Sequence, residues 1–231
     1  MSEPLFFCER LPAPGDIARL SEDETRHAAS ARRLRGGDTL WLFDGRGNLA
    51  RATLQNDRGR ALEALIVEHR HAPATRPAVH IASALPKGDR TATLLDIATQ
   101  LGMTSFTPLL CERSVVDPGD GTLERMRRVC LEACKQSRRA YLPEIHLPAK
   151  LVDVLARDGA KWIADPDGQP LGALSIASET PLTLLVGPEG GFTEGEIAEA
   201  ERAGAQRVAL GDGILRIEAA AVALLAAVML R

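Results

Sequence analysis

Leu184-Leu185-Val186-Gly187-Pro188-Glu189-Gly190-Gly191-Phe192-Thr193 is the stretch that decides the fold. An apolar run that reads as a buried strand stops at a glycine, a proline and two further glycines. Thr193 and Glu196 then form the pattern of a capping box that opens the next helix. Glycine tolerates positive φ and lets a ligand approach the backbone closely, so a strand that ends this way builds a ligand loop. A second apolar run, over 207–210, meets Gly211-Asp212-Gly213-Ile214-Leu215-Arg216. Two glycine-bearing strand ends then converge on one pocket, at the carboxyl edge where ligands sit in open α/β sheets.

Upstream of this stretch the hydrophobic periodicity predicts strands over 79–85, 106–110, 162–164 and 182–186, followed by one over 207–210. Between and after them lie helices over 91–101, 123–139, 151–157, 194–203 and 217–230. Such alternation implies a parallel sheet covered by helices. The first 70 residues read differently. Leu40-Trp41-Leu42-Phe43, a turn through Asp44-Gly45-Arg46-Gly47-Asn48, and a second strand over 49–54 predict a compact β domain with one small helical piece around 27–34. Ala72-Pro73-Ala74-Thr75-Arg76-Pro77 reads as the linker, because two prolines disfavour both helix and central strand. The expected division is therefore 1–72 and 73–231.

Composition narrows the function classes. With 231 residues and 45% hydrophobic content the chain has enough apolar mass for a sizeable core, more naturally split over two domains than packed as one. The net charge of -3 argues against a binder held to nucleic acid by bulk charge alone. The four cysteines form neither a secreted framework nor close zinc-ligand pairs, so no metal is expected; Cys130 and Cys134 read as buried thiols. The amino terminus has no signal-peptide pattern, and the apolar stretch 219–230 is too short to span a bilayer. It reads as a buried or interface-forming helix in a cytoplasmic protein with no membrane partner.

Neither G-x-G-x-x-G nor G-x-x-x-x-G-K-[ST] marks the chain as an ordinary dinucleotide or P-loop protein, and no G-x-S-x-G elbow is present. Basic side chains gather in patches instead. Lys135, Gln136, Arg138 and Arg139 end the long helix and read equally as a phosphate-contacting edge or as a solvated face suited to the helix dipole. Lys87 and Arg90 follow the first strand of the second domain, and His27, Arg32, Arg33 and Arg35 lie on the small domain. Separated patches suit an extended polyanion better than a small metabolite.

Taken together, Lys87-Gly88-Asp89-Arg90, Ala98-Thr99-Gln100-Leu101-Gly102, Pro108-Leu109-Leu110-Cys111-Glu112-Arg113-Ser114, the 132–139 segment, the 187–192 loop and the 210–216 segment resemble the RsmE family of 16S ribosomal RNA methyltransferases, of the SPOUT class. The resemblance covers nearly the whole chain. It implies an α/β protein with an N-terminal PUA-like β-barrel that binds RNA, followed by a SPOUT-type domain with a C-terminal trefoil knot. It also implies methyl transfer from S-adenosyl-L-methionine to N3 of one uridine of 16S rRNA in the small ribosomal subunit, by a homodimer.

By the same resemblance Leu185, Val186, Gly187, Pro188, Gly190 and Gly191, with Leu210, Gly211, Ile214 and Leu215, bind the cofactor. Glu189 and Arg216 are the catalytic candidates, and Arg113 joins the basic residues above as an RNA-positioning candidate. The chain departs from the family pattern at Gly213, where an arginine is usual, and at Ile217 and Ala219, which replace threonines. Asp96, Ile97, Lys135 and Arg138 also differ from the common residues. Two alternatives follow from these departures: a SPOUT methyltransferase acting on another RNA site, or a noncatalytic ribosome-assembly or RNA-binding protein.

Overall fold

The computed structural model describes residues 3–28, 34–55, 61–174 and 179–230. The chain divides into two compact units, Met1–Ala74 with Cys134–Leu142, and Thr75–Ala133 with Pro143–Arg231.

The first unit is built on β1 (Leu5–Phe7), β2 (Ile17–Arg19), β3 (Thr39–Phe43), β4 (Asn48–Leu54) and β5 (Glu63–His71), in the spatial order β1-β3-β4-β5-β2. β1 runs parallel to β3 and the other pairings are antiparallel. Strict alternation sends Leu40 and Leu42 of β3, and Ala50, Ala52 and Leu54 of β4, into a core shared with Phe6, Leu20 and Ile66. Helix α1 (Glu22–His27) starts earlier than the sequence suggests. Ser21 caps it, its hydroxyl accepting from the Glu24 amide at 3.2 Å, and residues 29–33 of the expected helical piece lie outside the described residues. The Ser-x-x-Glu spacing was the available signal.

Cys134–Leu142 belongs to this unit for reasons visible at its side chains. Lys135 reaches Glu24 at 2.8 Å in a pair whose side chains are only 7% and 6% exposed. The Ala140 carbonyl accepts from the Gly47 amide at 3.0 Å, and the Tyr141 hydroxyl donates to the Ala72 carbonyl at 3.0 Å.

The second unit contains β6 (Val79–Ser83), α2 (Arg90–Leu101), β7 (Ser105–Leu110), α3 (Thr122–Ser137) up to Ala133, β8 (Glu144–Ile145), β9 (Ala149–Lys150) and α4 (Leu151–Leu155). The chain continues through β10 (Ala160–Pro170), β11 (Leu182–Val186), α5 (Glu194–Arg202), β12 (Gln206–Ala209) and α6 (Ile217–Met229). Its sheet runs β12-β10-β11-β6-β7-β8, with β9 also pairing with β7, and every pairing is parallel. All five residues of β11 are buried, as a central parallel strand requires, and burying each of its leucines contributes about 1.5–3 kcal/mol.

β10 is longer than the expected 162–164. Its pairing with β12 shifts from Ala164↔Val208 to Gln169↔Val208, so 165–168 bulge out before the strand resumes. Turn-forming Pro166-Asp167-Gly168 hides that resumption in the sequence. Helix α6 follows the edge strand β12 but packs on α2 and on the central strands β11 and β6.

Candidate active site

Because β11 and β12 are parallel neighbours of β10, both glycine-bearing segments leave the same edge of the sheet. The first, after Val186, is tightly held. A Cβ on Gly187 would sit 2.9 Å from the Phe192 ring, so only glycine lets the loop close on that aromatic side chain. Gly191 donates to the Pro188 carbonyl at 2.9 Å, and the guanidinium of Arg113 donates to the Gly190 carbonyl at 2.8 Å. The capping box is present: Thr193 Oγ1 accepts from the Glu196 amide at 3.2 Å while Glu196 Oε2 accepts from the Thr193 amide at 2.8 Å. Glu196 Oε1 additionally accepts from the Glu112 amide at 2.9 Å. Leu185, Val186, Gly187 and Pro188 are buried, whereas Glu189, Gly190 and Gly191 are exposed.

The second segment is open. Residues 211–216 are all exposed, and Gly211 holds φ at +108°, which side-chain-bearing residues rarely adopt. Ile214 is 97% exposed and Leu215 42%, so two large apolar side chains stand in water directly before α6. Arg216 occupies the N-cap position of α6 without a side-chain cap bond and makes no ion pair among the described residues. Of the departures from the family pattern, Ile217 is buried at 3% and packs inward, while Gly213 and Ala219 are exposed.

A charge network joins these segments to the turn after β6. Arg90 Nη2 lies 3.5 Å from Glu189 Oε1, its Nη1 lies 3.8 Å from Glu218 Oε2, and its Nε donates to the Lys87 carbonyl at 3.1 Å. Glu218 Oε2 is buried without a hydrogen-bond partner, so Arg90 provides its nearest compensation. The sequence offers Glu218 as an ion-pair partner for the neighbouring Arg216, but among the described residues its partner is Arg90, which nothing in the sequence announces. Glu196 announced its helix cap but not its reach to Glu112.

The remaining sequence candidates fall in both units. Lys87 is exposed in the second unit, where Arg90 and Arg113 are committed to the contacts above. In the first unit Gln136 and Arg138 are exposed and Arg139 is half-buried, with burial lowering the pKa of its guanidinium. The buried pair with Glu24 takes Lys135 off the expected surface edge, because its ammonium points into the unit rather than into solvent. His27 packs edge-on against Phe6, with ring centroids 6.1 Å apart, and Arg35 is exposed. Arg32 and Arg33 lie outside the described residues. Among the described residues no three His, Cys, Asp or Glu side chains are grouped to hold a metal, and no helix is long and apolar enough to cross a membrane.

Comparison with known proteins gives these loops a context. The RNA methyltransferase domain family matches residues 74–229 and the RNA methyltransferase PUA domain family matches residues 20–67. Ribosomal RNA small subunit methyltransferase E of Mycobacterium bovis is 34% identical over 97% of this chain and 90% of its own length. The protein of the same name from Bacillus subtilis is 29% identical over 90% of this chain and 88% of its own.

Among solved structures, a ribosomal RNA small subunit methyltransferase E from Neisseria gonorrhoeae bound to S-adenosyl methionine superposes with a TM-score of 0.90. It shares 29% identity, covering 98% of this chain and 96% of that one. A Legionella pneumophila methyltransferase in complex with S-adenosylmethionine gives the same TM-score and the same coverage at 25% identity. With an RNA methyltransferase domain matched over two thirds of its length and a PUA-type domain before it, the chain belongs to the RNA methyltransferase family, alongside the small-subunit methyltransferases E.

Proposed function

We propose that this protein transfers a methyl group from S-adenosylmethionine to N3 of one uridine in the 16S rRNA of the small ribosomal subunit. In this reading 1–72 bind RNA, 73–231 carry the chemistry, and the enzyme works in the cytoplasm as a homodimer. The observation that carries it is the convergence of the 187–192 loop and the 211–216 segment on one sheet edge, joined by Arg90 to the start of α6. The residues fit the cofactor. Exposed Ile214 and Leu215 offer apolar cover for an adenosyl group, the glycine backbone offers donors and acceptors, and the carboxylate of Glu218 has an oxygen with no hydrogen-bond partner.

When bound, S-adenosylmethionine supplies a methyl carbon already activated by its sulfonium, so no protein nucleophile is needed. The protein's part is to align the uracil so that N3 faces that methyl carbon in line with the departing sulfur. Glu189 accepts the N3 proton, and Arg216, which has no ion-pair partner among the described residues, offsets negative charge on a uracil oxygen. Arg90 holds Glu189 near the first turn of α6.

The return of the chain from edge strand β12 to α6 on the central strands supports a trefoil knot at the carboxyl end. The outer face of α6 supports the dimer: Ala219 is exposed, Val222, Ala223, Ala226 and Met229 are only partly buried, and Leu230 is 74% exposed. Small ribosomal subunits lacking the modification, incubated with methyl-labelled cofactor and mapped by mass spectrometry, test the proposal. A stoichiometric mark at N3 of one uridine is expected. Binding without transfer would favour a noncatalytic RNA-binding role, and a mark on another base would redirect the substrate.

A further inference from the structure

The first unit holds a second feature, made by none of the glycine-loop residues: a cavity of about 230 Å³ lined by Glu3, Leu5, Trp41, Leu49, Arg70 and Arg138. Its position follows from strand alternation. Leu40 and Leu42 point into the core, so Trp41 between them faces the opposite side of the sheet, beside its register partners Leu5 and Arg51. The chain's other tryptophan, Trp162, is 1% exposed and donates to Gln206, as a core indole does. Trp41 is only partly buried, and the guanidinium of Arg70 stands over its ring, 4.9 Å from the centroid.

Charge and strain point the same way. The carboxylate of Glu3 is occupied: Arg51 Nε donates at 3.0 Å and the Thr39 hydroxyl at 2.7 Å. Its negative charge is therefore matched at the cavity wall. Arg138 is the lining cation with no carboxylate partner among the described residues, while Arg70 pairs with Glu68 at 2.8 Å and lays its guanidinium over Trp41. Arg138 adopts φ +61°, the one left-handed non-glycine residue among those described, and its Nη2 donates to the Glu3 carbonyl at 2.7 Å. L-residues rarely adopt a left-handed conformation, and here it turns a guanidinium onto the cavity rim.

We infer that this cavity receives one nucleotide of single-stranded RNA, its base held between the apolar floor of Leu5 and Leu49 and the stacked Trp41–Arg70 pair, its phosphate met by Arg138. The volume lies below the roughly 300–1,000 Å³ of sites for drug-sized ligands and suits a single planar base. Aromatic and guanidinium planes stack unpaired bases, and a duplex keeps its bases out of reach of such a pocket. The inference rests on the reading of this chain as acting on RNA, and it places a substrate contact on the sheet face of the first unit, where the sequence patches gave only basic residues.

The test titrates the full-length protein with a single-stranded hexauridylate while following Trp41 fluorescence, taken by difference from a Trp41→Phe variant. Saturable quenching that weakens about tenfold in Arg70→Ala and in Arg138→Gly supports the pocket. Arg138→Gly removes the cation while relaxing the backbone, so it folds. Affinity unchanged in both variants overturns the inference, as does equal quenching by a blunt RNA duplex. Methyl transfer to small subunits is measured in parallel. If the parent protein transfers no methyl group, the proposed function falls while the quenching result still decides the pocket. If transfer is intact, KM for subunits rises about tenfold in Arg138→Gly.

Discussion

The guanidinium of Arg113, in the turn after β7, donates to the carbonyl oxygen of Gly190 in the loop after β11, at 2.8 Å. A residue chosen from the sequence as an RNA contact thus also braces the loop proposed to hold the cofactor. Arg113→Met removes that bond, and a typical hydrogen bond of about 1 kcal/mol corresponds to roughly a fivefold rise in cofactor Kd. Calorimetric titration with S-adenosylmethionine measures it. An unchanged Kd together with a raised KM for ribosomal subunits would assign Arg113 to RNA instead.

Arg90 serves two acids, Glu189 and Glu218, through separate nitrogens. Lysine offers one compact charge and cannot span both with the same geometry. Arg90→Met is expected to slow methyl transfer by about tenfold or more, equivalent to about 1.4 kcal/mol, with Arg90→Lys falling between it and the parent. Single-turnover transfer separates this effect from subunit binding. Equal rates for all three proteins would show the network to be incidental.

The Lys135–Glu24 pair is buried on both sides, which makes breaking it costly and replacing it cheap. Lys135→Met leaves a carboxylate in the interior and should destabilise the protein by roughly 3–5 kcal/mol, whereas the double change with Glu24→Leu should recover most of that loss. Urea unfolding of the three full-length proteins reads the difference.

Hydrogen bonding from Arg51 lowers the Glu3 carboxyl from 4.5 to about 2, with Thr39 assisting. A carboxylate whose pKa is depressed on folding adds stability above its unfolded pKa and loses it as pH falls through the folded value. The contribution is therefore complete above pH 4.5 and disappears toward pH 2. In Arg51→Met the melting temperature should vary less steeply with pH across that interval than in the parent, as a thermal scan at several acid pH values would show.

Burial, reinforced by Glu196, pushes the Cys111 thiol up to about 12, and burial likewise takes Cys130 to about 11. Since the thiolate is the reactive form, neither should alkylate with iodoacetamide at pH 8 in the native state, even though Cys111 is partly exposed. Peptide mass mapping before and after denaturation checks this; native labelling at Cys111 would contradict it.

Much of the fold was legible because its signals are local. The apolar run of β11, the glycines after it and the Thr193/Glu196 spacing are read within one short continuous stretch, 182–196, and alternation of strands with helices foretold the parallel sheet. What escaped was set by contacts distant in sequence. Lys135 looks like a surface residue until Glu24 folds against it, Glu218 acquires meaning only beside Arg90, and β10 resumes beyond Gly168 because β12 accepts it there. Trp41 passed as an ordinary strand residue, since nothing in its neighbourhood of sequence announces Arg70 or Arg138.

The two oxygens of Glu196 each serve a different backbone amide, Thr193 at its own helix and Glu112 in the turn after β7. A glutamine would satisfy the helix start alone, but it has one acceptor oxygen, and its amide group would turn a donor toward the other N–H. Aspartate has the two oxygens and a shorter reach. The position therefore admits little drift: an exchange that a solitary helix would absorb loosens two segments of the proposed active site at once, so sequence tolerance at Glu196 is set by the number of acceptors rather than by helix propensity.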